Sequence, residues 1–271
     1  MKGIARHIIV MAIVLLATAD VRGEDILSFI DIRAYSMGKS SVALPSAANP
    51  AGFSLTGRRV ASLGYVNRFG LKALSSYSGF VAVPSRILDF TLYAARFGMD
   101  AYNENKISLS VARRLTSRFA LGVRVNYYVR QLADRDKNVH ALTADVEMLV
   151  NATDKLTIGV VVNNPLRKGI VKGKTGEKLP VSFAVGVTYQ PLPTLLLTTE
   201  VEKSSSSRPW YKVGVEYSPI TALDIRAGFL GAPFVPTFGI GVNFASFTVN
   251  AGAKWHTSLG PELMCGIDYT F

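Results

Sequence analysis

The sequence predicts an all-β chain that closes into a transmembrane antiparallel barrel of about fourteen strands, with a short segment before the first strand that folds into or under it. Three observations carry this expectation: a two-residue period that runs from Arg59 to the last residue, connections whose lengths alternate, and an export signal at the start. The last ten residues, "ELMCGIDYTF", show the pattern in small. Leu263, Cys265, Ile267, Tyr269 and Phe271 alternate with Met264, Gly266, Asp268 and Thr270.

The 271 residues are 49% hydrophobic and only 18% charged. Past the N-terminus no apolar run reaches the ~18–20 residues that a membrane helix needs. Apolar residues must therefore be spread through short alternating segments, as in a membrane barrel or a large soluble β-protein. The N-terminus decides between compartments. Lys2 and Arg6 precede an apolar run from Ile8 to Ala17, and small residues follow, with cleavage expected after Ala19 or Gly23. Residues 1–23 thus read as a secretory signal peptide, too short to span a bilayer. No cysteine lies near the cleavage region, so no lipid anchor is expected. Cys265 is the only cysteine, which rules out an internal disulfide.

The formal charge is +11. Cleavage after Gly23 leaves 27 basic and 18 acidic residues, a charge of +9. Export argues against nucleic acid as the partner, and the surplus fits a surface among anionic lipids.

Fourteen alternating segments are read at 59–67, 72–83, 86–97, 105–114, 118–131, 138–150, 155–163, 181–190, 194–203, 210–218, 222–230, 235–244, 247–256 and 262–271. Boundaries of this kind leave 12 or 16 strands open. Most segments match the ~9–11 residues of a tilted membrane strand. Phe119 to Arg130 is the clearest. Phe119, Leu121, Val123, Val125, Tyr127 and Val129 form one face, and Ala120, Gly122, Arg124, Asn126, Tyr128 and Arg130 the other. Even-numbered connections are short ("PS", "LTS", "NATD", "PLP", "PIT", "AS"), with turn-forming residues. Odd-numbered ones are mostly longer, among them "GMDAYNE", "LADRDK", "SSSSRP" and the 17 residues of 164–180. Short turns on one side and long loops on the other fit periplasmic turns and outward loops. In such a barrel the last strand pairs with the first, so no edge stays open.

The face opposite the aliphatic stripe lines the lumen and is rich in Gly, Ala, Ser, Thr and Asn. Its charges are mixed: Arg124, Arg130, Lys212, Arg226 and Lys254 against Asp145, Glu147, Glu200, Glu216, Asp224 and Asp268. Charges of both signs are expected to pair across the lumen and close it, giving a plugged interior rather than an open pore. Residues 24–57, rich in small residues and without strand periodicity, are the expected plug, and 58–271 the barrel.

Within that plug, "RAYSMG" (Arg33 to Gly38) followed by "ANPAG" (Ala48 to Gly52) resembles the N-terminal hatch of FadL-type outer-membrane barrels. Arg33-Ala34, Met37-Gly38, Val42-Ala43-Leu44 and Asn49-Pro50-Ala51 fall where that superfamily carries its Arg-Ala pair, Gly turn, "vAl" stretch and "NPA". The resemblance implies a fourteen-stranded barrel with the hatch inside, located in the bacterial outer membrane. It implies a hatch held by Arg33, Tyr35, Gly38, Asn49 and Pro50. Arg33 would pair with an inward carboxylate, Asn49 would cap its own backbone, and Pro50 would fix a turn. The terminal Leu263, Ile267, Tyr269 and Phe271 resemble the C-terminal signal that outer-membrane assembly machinery reads.

In size and loops the chain is most similar to the PorV/PorQ-like members tied to type IX secretion in Bacteroidota. It lacks the large loops of fatty acid transporters, and its longest loop is basic, with Arg167, Lys168, Lys172, Lys174 and Lys178, suited to a partner or to lipid phosphates. The function expected is therefore a non-enzymatic accessory subunit of an outer-membrane export or assembly complex, with other outer-membrane proteins as partners. The alternative is a transporter of small hydrophobic compounds, which would leave the lumen sideways.

Other motifs fail on context. "GKT" at Gly173–Thr175 lacks the glycine a phosphate loop needs at position 168, which is Lys, and "GIG" at Gly239–Gly241 has no helix after it. His140 and His256 stand alone, and no "GxSxG" elbow occurs, so no metal, cofactor or catalytic residue is expected.

Overall fold

Alternation with a two-residue period can bury nothing on a single strand, so each segment must pair on both edges. A computed structural model describes residues 29–100, 102–132, 138–167, 179–231 and 234–271. The signal peptide expected at 1–23 and the first residues of the plug lie outside them. Fourteen strands form one closed antiparallel barrel in which each pairs with its sequence neighbours. They are β1 (Val60–Arg68), β2 (Ser76–Val83), β3 (Asp89–Met99), β4 (Tyr102–Thr116), β5 (Phe119–Leu132), β6 (Val139–Asn151) and β7 (Leu156–Asn163). The second half holds β8 (Ser182–Leu192), β9 (Leu195–Ser204), β10 (Trp210–Ile220), β11 (Leu223–Leu230), β12 (Val235–Phe244), β13 (Phe247–His256) and β14 (Gly260–Thr270). Among the described residues no helix is long and apolar enough to cross a membrane; the strands do the crossing.

β14 closes on β1 from Val60↔Thr270 to Arg68↔Glu262, and the Phe271 N–H donates to the Arg59 carbonyl. A run of ladder bonds therefore holds the C-terminal end of the sequence. Leu263, Ile267, Tyr269 and Phe271 all point outward and are exposed. The Tyr269 ring lies between Phe247 at 4.8 Å and Phe271 at 5.6 Å. Elsewhere the outward face carries Leu92, Ile107, Val125, Phe238 and Ile240, each about half exposed. Water would not tolerate such a face, and a hydrocarbon surround requires it. Cys265 belongs to the same face.

The six even-numbered connections lie at one end, beside the start of β1 and the end of β14. Several strand ends differ from the expected ones. β2 begins at Ser76, because Lys72–Leu74 turns as a 3-10 helix instead of extending. The third connection shrinks from "GMDAYNE" to two residues. Tyr102–Glu104 extend β4, pairing with β3 up to Met99 and with β5 up to Leu132, so the parity of loop lengths breaks there. Inward burial of Glu104, where it meets Arg130, rewards that extension. β8 and β10 run on through bulges to Leu192 and Ile220, which shortens "PLP" and "PIT" to two-residue turns.

Candidate functional site

The chain ahead of β1 makes one circuit of the inner wall. Asp31 opens a one-turn helix, α1 (Ile32–Tyr35), by accepting from the Ala34 N–H at 3.1 Å. Burial, helped by the nearby Asp268 charge, raises its pKa from 3.8 to about 6. From α1 the segment passes β14, β13, β12 and so on in barrel order. It ends in α2 (Ala51–Thr56), which packs on β4, β5 and β6 and places Phe53 against Phe80 of β2.

The wall is shaped for this passage by glycine. Four Gly–Gly pairs face each other across neighbouring strands: Gly64↔Gly266, Gly239↔Gly252, Gly214↔Gly228 and Gly159↔Gly186. The hatch meets them in order, with Ile32 on the first, Ser36 on the second, Met37 and Gly38 on the third, and Val42 and Ala43 on the fourth. A Cβ at Gly252 would lie 2.6 Å from Ser36 Oγ, one at Gly266 2.8 Å from Ile32, and one at Gly159 would collide with the Val42 carbonyl. Mid-strand glycine here admits another backbone. Gly38 answers the wall in kind. Its φ is +66°, its N–H donates to Thr237 Oγ1 at 2.8 Å, and a Cβ would strike the carbonyls of Val213 and Phe229.

Charges fasten the ring where glycine does not. Arg33 donates to both carboxylate oxygens of Glu216, at 2.8 and 2.6 Å. Arg226 donates to the same carboxylate at 2.6 Å and also reaches Asp224 and Asn250. Glu200 accepts from the N–H groups of Ser41 and Val42 at 2.7 and 2.9 Å, while Lys212 bridges Glu200 and Glu202. On β5 the buried Arg124 pairs with Asp145 at 2.9 Å and Glu147 at 3.0 Å, and donates to the carbonyls of Ala47 and Ala48. The inward charges thus meet within the lumen. Glu104, Glu202 and Glu262, partners to Arg130, Lys212 and Lys254, were not singled out from the sequence, although all three sit at inward positions of their strands.

Tyr35 is fully buried, with Lys39 Nζ 4.1 Å above its ring. Pro50 starts α2, and its carbonyl accepts from Phe53 N–H. The Asn49 amide does not cap its own backbone. It donates to the Val42 carbonyl at 2.6 Å and the Met148 carbonyl at 2.9 Å, joining hatch to hatch and hatch to wall. Of the basic loop, Arg167 is exposed, and Lys168, Lys172, Lys174 and Lys178 lie outside the described residues.

The ring does not fill the lumen. Above it, on the side away from the short turns, a cavity of about 430 Å³ opens between β4 and β10. Its floor is hatch: Phe29, Tyr35, Ser41, Val42 and Ala48. Val139, Ala141, Val161, Ala184 and Trp210 supply apolar wall, and Glu104, Lys106, Arg130 and Glu202 a charged one. Lys106 Nζ sits 3.3 Å from the centre of the Phe29 ring, and Arg124 Cζ lies 3.8 Å from the same centre. Among the described residues no cluster of metal-ligating side chains occurs.

No family model matches the sequence, and no characterised protein matches it by sequence. Solved structures do match by shape. The Pseudomonas putida toluene transporter TodX superposes with a TM-score of 0.68 at 10% identity, covering 90% of this chain and 98% of that one. A deletion mutant of the TodX monoaromatic hydrocarbon channel gives 0.71 at 11% identity, covering 91% and 99%. A Pseudomonas aeruginosa FadL homologue gives 0.61 at 12% identity, covering 90% and 97%. At such identities the likeness is one of fold, and it does not bear on the PorV/PorQ-like expectation. The chain is an integral outer-membrane β-barrel with the fold of the FadL-type barrels.

Proposed function

We propose that the protein is a non-enzymatic passage for small hydrophobic compounds across the outer membrane. The observation that carries this reading is the cavity of about 430 Å³ held above the hatch, a volume within the ~300–1,000 Å³ of small-ligand sites. Its aromatic and aliphatic wall suits an apolar body, and its fixed charges suit a polar end. The likeness to a toluene transporter and a FadL homologue supports this reading over the accessory role that size and loops favour. The accessory reading keeps one observation of its own. Register shifts between neighbouring strands occur at three places, all at the turn end, so among the described residues no bulge opens the wall beside the cavity.

Trp210 lines the cavity and Trp255 faces outward, so Trp255→Phe isolates the signal of Trp210. Titrating that variant in detergent with a small aromatic ester should quench Trp210 saturably, and adding Ala184→Phe, which fills part of the cavity without a second indole, should abolish the saturation. Quenching that rises linearly in both, together with a stoichiometric outer-membrane partner in mild-detergent purification, would return the accessory role to first place.

A further inference from the structure

The end of the barrel that carries the short turns is charged on one side only. Arg58 and Arg59 precede β1, Arg86 sits in the β2–β3 turn, and Arg113, Arg114 and Arg118 flank the β4–β5 turn; all are exposed. Lys155 adds one more between β6 and β7. Among the described side chains of this sector's turns, the carboxylates against them are Asp154, 3.0 Å from Arg118, and Asp89, buried and accepting from Ser85 N–H. The other three turns, at 193–194, 221–222 and 245–246, carry no charged side chain. With strands roughly 4.8 Å apart, the basic sector from β1 to β7 is an arc of about 30 Å.

Two features say what faces this arc. Arg113 continues the lipid-facing series Ile107, Leu109, Val111, and Arg59 precedes outward Ala61 and Leu63 in the same way. These guanidinium groups are therefore on the wall, where apolar stems lie along hydrocarbon and charged heads reach the interface. Beside them Ile87, Leu88 and Leu115 are exposed at the turn level, 71% exposed in the case of Ile87. Basic heads next to bare aliphatic side chains match a leaflet of anionic headgroups over acyl chains. A soluble acidic protein docking from the periplasm would leave Arg59 and Arg113 unused and the aliphatic residues in water.

We infer that the β1–β7 sector of the periplasmic rim is a binding surface for anionic phospholipid headgroups of the inner leaflet. The guanidinium groups pair with headgroup phosphates. The uncharged β8–β14 sector makes no such selection. The barrel thus recruits a lopsided lipid collar, whatever passes through its lumen.

Native mass spectrometry of the full-length protein, released from micelles doped with phosphatidylglycerol or phosphatidylcholine, reads this directly. Phosphatidylglycerol adducts should dominate and weaken as salt rises. In the variant R59Q/R86Q/R113Q their retention should fall by about tenfold or more, with heat-modifiable migration confirming that the barrel has folded. Lys72→Gln, at the opposite rim, should change nothing. Equal retention of the two lipids, or undiminished phosphatidylglycerol binding by the folded triple variant, overturns the inference. So does loss of a co-purifying acidic protein from that variant with lipid binding intact.

Discussion

The hatch is seated in two different ways on two arcs of the same wall. From β7 round to β1 it lies on paired glycines, backbone against backbone. On β5 and β6 its fastening is the buried Arg124, whose guanidinium spans from Asp145 and Glu147 to the carbonyls of Ala47 and Ala48. The first arc works by shape and tolerates no added atom. The second works by charge and tolerates no missing partner. Close packing fails gradually as atoms are displaced, whereas a stranded buried charge costs its full desolvation at once.

That contrast orders the expected effects. Arg124→Met strands two buried carboxylates and should lower barrel stability by about 3–5 kcal/mol, read from urea unfolding followed by heat-modifiable migration. Adding Asp145→Asn and Glu147→Gln should recover a good part of it; no recovery would mean that Arg124 matters for packing alone. Gly159→Val on the other arc should cost roughly 1–3 kcal/mol and expose Arg33 to trypsin while the barrel stays closed. Equal resistance to trypsin would show that the glycine seat can yield. Arg33→Met should cost only about 1 kcal/mol, because the Arg33 side chain is 32% exposed and Arg226 stays on Glu216.

The smallest effect is one of pH. Asp31, facing Asp268, Arg33 and Arg226, has its pKa raised to about 6. Its contribution to the seated hatch is complete below its usual value of 3.8 and is lost as pH rises through about 6. Protection of Arg33 from trypsin, corrected for the enzyme's own pH profile, should therefore be greater at pH 5 than at pH 7.5, and Asp31→Asn should flatten the difference.

The barrel was legible because lipid outside and polar lumen inside impose a strict alternation, visible without ambiguity in Phe119 to Arg130. Strand ends were less so. Nothing local tells that Tyr102–Glu104 extend a strand, since the reward is pairing and burial supplied by β3 and β5. The hatch motif was visible in Arg33–Gly38 and Ala48–Gly52, but not the grip of Asn49 on Met148, which lies 99 residues away. The glycine seat left a signal that was read only as lumen composition. Gly159, Gly186, Gly214 and Gly252 each interrupt a strand on the inward face, which is how a close backbone approach is written. The cavity had no signature, because it is space left over between a ring and a wall.

The circuit of the hatch also has a kinetic meaning. Ser36 meets Thr237 across 201 residues, and the pair Gly64↔Gly266 comes into being only when the last strand finds the first. The first part of the described chain is therefore the last part able to settle, as non-local contacts form late. A barrel zipped one residue out of register turns its inward glycines toward lipid and offers no seat. Seating is in this sense an internal inspection of closure, made by the segment that will later bear the floor of the cavity. In a refolding time course, protection of Arg33 should lag the heat-modifiable band and never precede it.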